Sequence, residues 1–388
     1  MLALRVLCAL CGYAFEELIY AMPSSIPSRS DLPQRAPVSP DELLPPVEPP
    51  SARFIIQLFV VPAVIVAAVV LLWFLIESMA RRGEQDPDQI VAALRSSNQA
   101  RFQRAKELAD MLRLPERYPE LKNNRELAQK LAVYLDELVE AGDPSDASVS
   151  MRIFLARSLG DFNVSDGLPA LINAALNDQE RDVRRQAVNA IAVLAGSMAD
   201  AKQPLSSNAL TDALLELADD QDELIRSETT FALGIVATAP GADPRLVDKL
   251  EELADDPYTD ARFNTAVWLA RAGSPRAVDV ITEMLDPEAL HSSVSGEKPM
   301  TEAVSEQALA ANKAFKRKIM VTNALKAIDD LLGHKSLAAE SAAALEQSLQ
   351  RFIDALPGMQ LPKRVHDELL AAAERTLKKV TARSNASP

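Results

Sequence analysis

The chain has 388 residues with 55 acidic against 41 basic side chains, a formal net charge of −14. A surface so acidic repels phosphate backbones, which argues against nucleic-acid binding. The two cysteines, Cys8 and Cys11, and three histidines exclude a disulfide framework and leave little to build a metal centre from.

Residues 1–21, beginning MLALRVLCALCGYAF, are apolar enough for a signal-peptide core, but Arg5 interrupts them, Glu16 and Glu17 follow, and no clean small-residue cleavage site appears. Two readings of this leader stay open: it belongs to the protein, or translation starts at Met22, where the composition changes abruptly. Cys8 and Cys11 form a CxxC without a second pair or a nearby histidine, so neither zinc nor thiol redox chemistry is expected there. Residues 22–53 hold nine prolines up to Pro50 and no apolar periodicity, and should be disordered or polyproline-like.

Residues 54–77 read as a transmembrane helix. The 23 residues from Phe54 to Ile76 carry no charge and only Gln57 as a strongly polar group. At the rise of an α-helix they reach about 35 Å, enough for the hydrocarbon core. Within 20 residues of the span, Arg35 and Arg53 lie before it and Arg81, Arg82 and Arg95 after it. That margin places the repeats that follow in the cytoplasm, with a single pass.

Residues 78–145 read as a helix break at RRGEQDPDQ and then two long juxtamembrane helices, the first from Ile90 to Arg113. Ala100, Arg101, Arg104, Ala105 and Leu108 suggest a degenerate first repeat. From 146 to 290 one pattern recurs four times, an aspartate six residues before an arginine: Asp146 and Arg152, Asp178 and Arg184, Asp220 and Arg226, Asp256 and Arg262. Each arginine opens an apolar register at three, four, six and seven residues beyond it, as with Ala187, Val188, Ala190 and Ile191 after Arg184. The arginines are 32, 42 and 36 residues apart, and an amphipathic segment such as ALTDALLELADD precedes the arginine in every unit. Two helices per unit at this period make an all-α solenoid in which each unit is too small to bury its own apolar face.

On these residues the chain resembles the HEAT-repeat family, whose units end a first helix near an aspartate and open a second with valine-arginine. The resemblance implies an α-solenoid of about five HEAT-like helix pairs, here preceded by one transmembrane helix. It also implies protein binding more often than catalysis. Some HEAT-like groups are enzymes, among them a hydroxylase group with two irons on repeated His-Glu motifs and a phycobilin lyase group. His291, His334 and His366 lie far apart and outside any such motif, and no glycine-rich phosphate loop or nucleophile elbow is present. We therefore expect no enzyme activity, no cofactor and no metal.

The eight ladder residues are expected to act structurally, with each carboxylate accepting hydrogen bonds from the free N–H groups of the next helix and from an arginine of its own or a neighbouring unit. Positions two and five after each arginine fall outside the apolar register and share one helix face: Phe154 and Arg157, Gln186 and Asn189, Glu228 and Phe231, Asn264 and Val267. Stacking aligns them into a candidate partner-binding stripe, with the aromatics as anchors. Whether those aromatics are exposed or tucked into the core is left open by the pattern.

Residues 291–311 interrupt the spacing and read as a loop insertion. Residues 312–388 read as a divergent last repeat, with Asn312, Lys318, Val321, Ala324 and Leu325 in register, followed by a basic C-terminal helix that is either solvated or in contact with anionic lipid. The sequence thus points to a membrane-anchored scaffold or adaptor with a protein partner. The alternative is a non-catalytic accessory subunit of a membrane-associated enzyme or of a lyase-like HEAT protein.

Overall fold

A computed structural model of the chain describes residues 51–84, 86–96, 100–295, 306–334 and 337–386, and among these residues it contains helices and no strands. The readings of the leader and of residues 22–50 lie outside the described residues. The chain divides into two compact units at Leu75 and Ile76.

The described part of the first unit belongs almost wholly to α1 (Ala52–Glu84), which has Pro62 inside it. From Ile56 to Ile76 the mean hydropathy is 3.0 and no side chain is buried. Trp73 and Phe74 meet edge to face at 5.1 Å. This is one helix long and apolar enough to cross a membrane. It continues through RRGE to Glu84, so the helix break expected at Arg81 comes at the end of that tetrapeptide.

The second unit is a stack of helix pairs. Its helices are α2 (Pro87–Leu94), α3 (Ala100–Leu112), α4 (Arg125–Ala141), α5 (Asp146–Gly160), α6 (Leu168–Asn177), α7 (Arg181–Asp200), α8 (Asn208–Ala218) and α9 (Glu223–Ala237). They continue with α10 (Arg245–Leu253), α11 (Thr259–Ala272), α12 (Ala277–Leu285), α13 (Pro287–Ser295), α14 (Glu306–Leu332), α15 (Ala339–Ala355) and α16 (Lys363–Ala386). The pairs are α2/α3, α4/α5, α6/α7, α8/α9, α10/α11, α12/α14 and α15/α16, seven where the sequence pattern suggested about five. The two extra pairs are the end units, where the aspartate-arginine signature has been lost. Second helices stack in one unbroken row, α3, α5, α7, α9, α11, α14 and α16. Two boundaries also differ from the sequence reading. The long helix drawn from Ile90 is two helices, α2 and α3. The insertion drawn as a loop over 291–311 is helical in α13 and from Glu306 onward, while 296–305 lie outside the described residues.

Local chemistry sets the helix ends. The side chains of Asn124, Ser145, Ser207 and Asp222 each accept a backbone N–H of the first turn that follows. Gly142 and Gly273 end α4 and α11 in the left-handed region, with φ of 59° and 76°.

The second-helix row depends on a small residue eight positions after each arginine: Gly160, Ala192, Gly234 and Ala270. A Cβ on Gly160 would lie 2.9 Å from the Cα of Ala190 on the next helix, and one on Gly234 would lie 2.0 Å from Cγ of Trp268. The Trp268 ring is held from α11 as well, with the Arg271 guanidinium 4.4 Å from its centroid. Gly234→Ala should therefore destabilise the detergent-solubilised protein by about 1–3 kcal/mol through overpacking, although alanine is the better helix former by up to about 1 kcal/mol. An unchanged or raised melting temperature would show that the indole swings aside freely.

Candidate binding face and the ladder that positions it

Every regular unit turns from its first helix into its second on an aspartate. The carboxylates of Asp143, Asp178, Asp220 and Asp256 accept the backbone N–H two residues on, from Ser145, Glu180, Asp222 and Tyr258, at 2.7–2.9 Å. The arginine of the same unit donates to the backbone carbonyl of that aspartate: Arg152 to Asp143 at 3.1 Å, Arg184 to Asp178 at 3.1 Å, Arg226 to Asp220 at 2.8 Å and Arg262 to Asp256 at 2.6 Å. The first pairing corrects the sequence reading. Asp146 is merely an acidic residue in the first turn of α5, and Asp143 holds the turn, because that helix begins one turn earlier relative to its arginine than the others do.

The remaining guanidinium edge reaches the following unit. Arg226 grips Asp256 with two parallel bonds, Nε to Oδ2 at 2.7 Å and Nη2 to Oδ1 at 3.0 Å. Arg152 meets Asp178 at 2.9 Å, both side chains almost fully enclosed, in contact but without hydrogen-bond alignment. Arg262 takes Glu283 with both Nε and Nη2. Arg184 stops at its own turn, and no pair to Asp220 forms among the described residues. That gap coincides with the longest arginine spacing, 42 residues, where Arg185 reaches Glu228 at 3.2 Å and Arg181 reaches Asp222 at 3.5 Å instead.

Burial and bonding pull these carboxyls in opposite directions. For Asp178, burial dominates and pushes the carboxyl above its ordinary range, against the Glu180 N–H and the Arg152 charge. For Asp256, burial is again the largest single influence, yet the Arg226 bonds, the Tyr258 N–H and the Arg226 and Arg262 charges outweigh it and hold the carboxyl below its usual value.

The register also explains α14. Its buried residues Met320, Val321, Ala324 and Leu325 fall three, four, seven and eight positions after Arg317, so Arg317, and not Lys318, occupies the place of the ladder arginine. Lys318 instead pairs with Glu368 on α16.

On that register the candidate stripe runs along the second-helix row, and its eight residues have unequal fates. Arg157 and Asn189 are exposed, and Phe231 is 42% exposed. Phe154 is half-buried against the core, and Gln186 and Val267 are half-buried. Glu228 is tied to Arg185, and Asn264 donates to Ser227 Oγ at 3.2 Å, so both link neighbouring repeats. The structure adds members that the sequence reading did not include. Val193, nine positions after Arg184, is 42% exposed, and Ile319, two after Arg317, is 43% exposed. Ile235 approaches Gly196 of the preceding second helix. It also lines a cavity of about 450 Å³ shared with Gly196, Thr238, Pro240 and Trp268.

The three histidines serve separate elements. His291 lies 3.3 Å from Arg317, His334 bonds the carbonyl of Arg271 at 3.0 Å, and His366 sits beside Asp367. No group of three or more His, Cys, Asp or Glu side chains among the described residues is arranged to hold a metal.

Residues 135–234, from the second half of α4 into α9, match the family model for HEAT repeats. Among curated proteins, none matches the chain. Solved structures that resemble it include a designed armadillo repeat protein in complex with the peptide (KR)4, at 18% identity over 63% of this chain and 99% of that one, with a TM-score of 0.35. The Escherichia coli protein YibA matches at 18% identity over 78% and 96%, with a TM-score of 0.35. Human deoxyhypusine hydroxylase in complex with glycerol matches at 17% identity over 77% and 98%, with a TM-score of 0.30. Scores this low carry no argument about function. The stacked helix pairs and the HEAT-repeat match over 135–234 are what establish a HEAT-type repeat fold in the middle of this chain.

The geometry separates ladder residues that clamp from one that does not. Asp256→Ala and Arg226→Ala should each cost roughly 2–4 kcal/mol, because either leaves the other group largely buried without its opposite charge, while Arg184→Ala should cost about 1 kcal/mol or less. Additivity in the Arg226/Asp256 double-mutant cycle would show that the pair is uncoupled. The pair also has a pH signature. Since the Asp256 carboxyl titrates below its ordinary value in the folded state, its contribution is complete above the unfolded carboxylate range and disappears as pH falls through the folded value. Asp256→Asn should flatten the acid limb of the stability profile relative to the parent, as followed by melting between neutral and acidic pH.

Proposed function

We propose that the chain is a single-pass membrane protein whose repeat array is a non-catalytic scaffold, binding a protein partner along the second-helix row. The observation that carries this reading is the unused apolar surface at Val193, Phe231 and Ile319, on the second helices α7, α9 and α14 of one row. Three charged members of the same row, Arg185, Glu228 and Arg271, are engaged within the fold. Exposed aromatic and branched side chains flanked by polar residues are the usual anchors of an interface. The HEAT-repeat match supports the scaffold reading, and the length and apolar character of α1 support the anchor. The excess of arginine after the span supports a cytoplasmic array.

Phe231→Ser combined with Val193→Ser tests the face. Both side chains are substantially exposed, so the melting temperature should stay close to that of the parent, while recovery of a partner copurified in mild detergent should fall by about tenfold or more. Undiminished recovery would remove this face from consideration. For the anchor, a cysteine placed at Ser39 should react with an impermeant thiol reagent in intact cells and one at Ser206 should not. The reverse pattern would put the repeats outside.

A further inference from the structure

The chain as a whole is strongly acidic, but one segment of the first repeat is not. Between Arg95 and Lys122 there are seven basic residues and four acidic ones, a local charge of +3 in a chain of −14. Helix α3 lies in this segment. It buries Ala105, Leu108 and Leu112 against the fold, and Gln103 and Asp110 lie on the side opposite them. Phe102, Lys106, Ala109 and Arg113 recur at spacings of four, three and four, which places them on one flank of the helix, about a quarter turn from the buried stripe. Phe102 is 38% exposed, and Leu114, immediately beyond the helix, is 52% exposed. The Arg101 guanidinium sits 4.8 Å from the Phe102 ring centroid, while that of Arg117 sits 5.5 Å from the Tyr118 ring centroid. Asp110 and Glu116 are the acidic neighbours of the patch. No ion pair occupies Lys106 or Arg113 among the described residues, in contrast to Arg104, which is neutralised by Glu107 at 2.7 Å.

We infer that the exposed flank of α3 is a contact surface for anionic lipid, with Phe102 entering the headgroup region and Lys106 and Arg113 meeting lipid phosphates and carboxylates. The inference rests on the reading that α1 spans the membrane. Connectivity then supplies the lipid: α1 ends at Glu84 and α2 begins at Pro87, so the first repeat is tethered to the bilayer at high effective concentration. Basic residues beside a span gain affinity from the negative potential of the cytoplasmic leaflet, and a flanking aromatic adds interfacial anchorage.

The test uses the full chain with Cys8 and Cys11 replaced by serine, reconstituted in phosphatidylcholine vesicles with or without about 30% phosphatidylserine. One fluorophore is attached through Ala109→Cys, Asn189→Cys or Val66→Cys, and quenching by nitroxide-labelled lipid is read. Quenching at Ala109 should exceed that at Asn189 by about threefold or more in the anionic vesicles, with the excess lost on Lys106→Glu/Arg113→Glu or in high salt. Quenching at Ala109 no greater than at Asn189, with Val66 strongly quenched, would overturn the lipid contact and leave the span standing. An excess that survives the charge reversal would also overturn it. Absence of quenching at Val66 would remove the span and the contact together.

Discussion

The planar fork of an arginine guanidinium carries more donors than one partner can use, and the array exploits that surplus. In Arg226 one edge closes its own helix-to-helix turn on the Asp220 carbonyl, and the other edge holds the Asp256 carboxylate of the next unit. A lysine could not do both, because an ammonium is a point donor without a fixed second edge. The clamp therefore couples the geometry inside one unit to the distance between two. Its carboxylate is itself fixed by the Tyr258 N–H, so the arginine meets a preformed acceptor and loses little freedom beyond its own. Where the second edge lacks alignment, as between Arg152 and Asp178, burial raises the carboxyl and the junction relies more on packing. In such a stack each unit is held by its neighbours, so its stability is a sum over junctions of unequal strength.

Packing between second helices answers to the same constraint. Neighbouring second helices lie close enough that an added Cβ at Gly160 or Gly234, eight positions after Arg152 and Arg226, would collide with the next one. That proximity draws the polar residues of the row into cross-links. Arg185 reaches Glu228, Asn264 reaches Ser227 and Arg271 reaches Asp330. Each bond made within the fold withdraws one side chain from any external partner. The apolar groups at Val193, Phe231 and Ile319 have no such internal use.

The period and the apolar register were legible because they follow from helix geometry alone. Placement of the first clamp was not, because counting six residues back from Arg152 assumes that every helix starts at the same point. A local signal does exist. Each turn reads Asp-Pro or Asp-Gln, at Asp143, Asp178, Asp220, Asp256 and Asp286, and this dipeptide identifies Asp143 where the spacing from the arginine does not. Asp286 opens α13 through the same turn, so the inserted helix takes the place where the second helix of that unit should begin, and α14 supplies the row position instead. The displacement explains why Arg317 was missed and why the period fails beyond 290. Cross-links such as Glu228 to Arg185 join residues 43 apart, and no pattern within one helix can reveal them.

The outward lines of the second helices differ in how much freedom they leave. Two positions after the arginine, Phe154, Gln186, Glu228 and Asn264 are half-buried, because there that line faces the gap between neighbouring helices, and only Ile319 of α14 is exposed on it. Five positions after it, Arg157, Asn189, Phe231 and Thr322 are exposed, with only Val267 half-buried. A substitution on the first line perturbs a junction, whereas one on the second meets solvent. Recognition can therefore be changed along the fifth-position line, and at the adjoining ninth position where Val193 lies, without touching the clamps or the small-residue contacts. The chemistry that builds the stack and the chemistry available to a partner occupy different positions of the same repeat, and this separation is what allows one unit to be copied with its scaffold intact and its face altered.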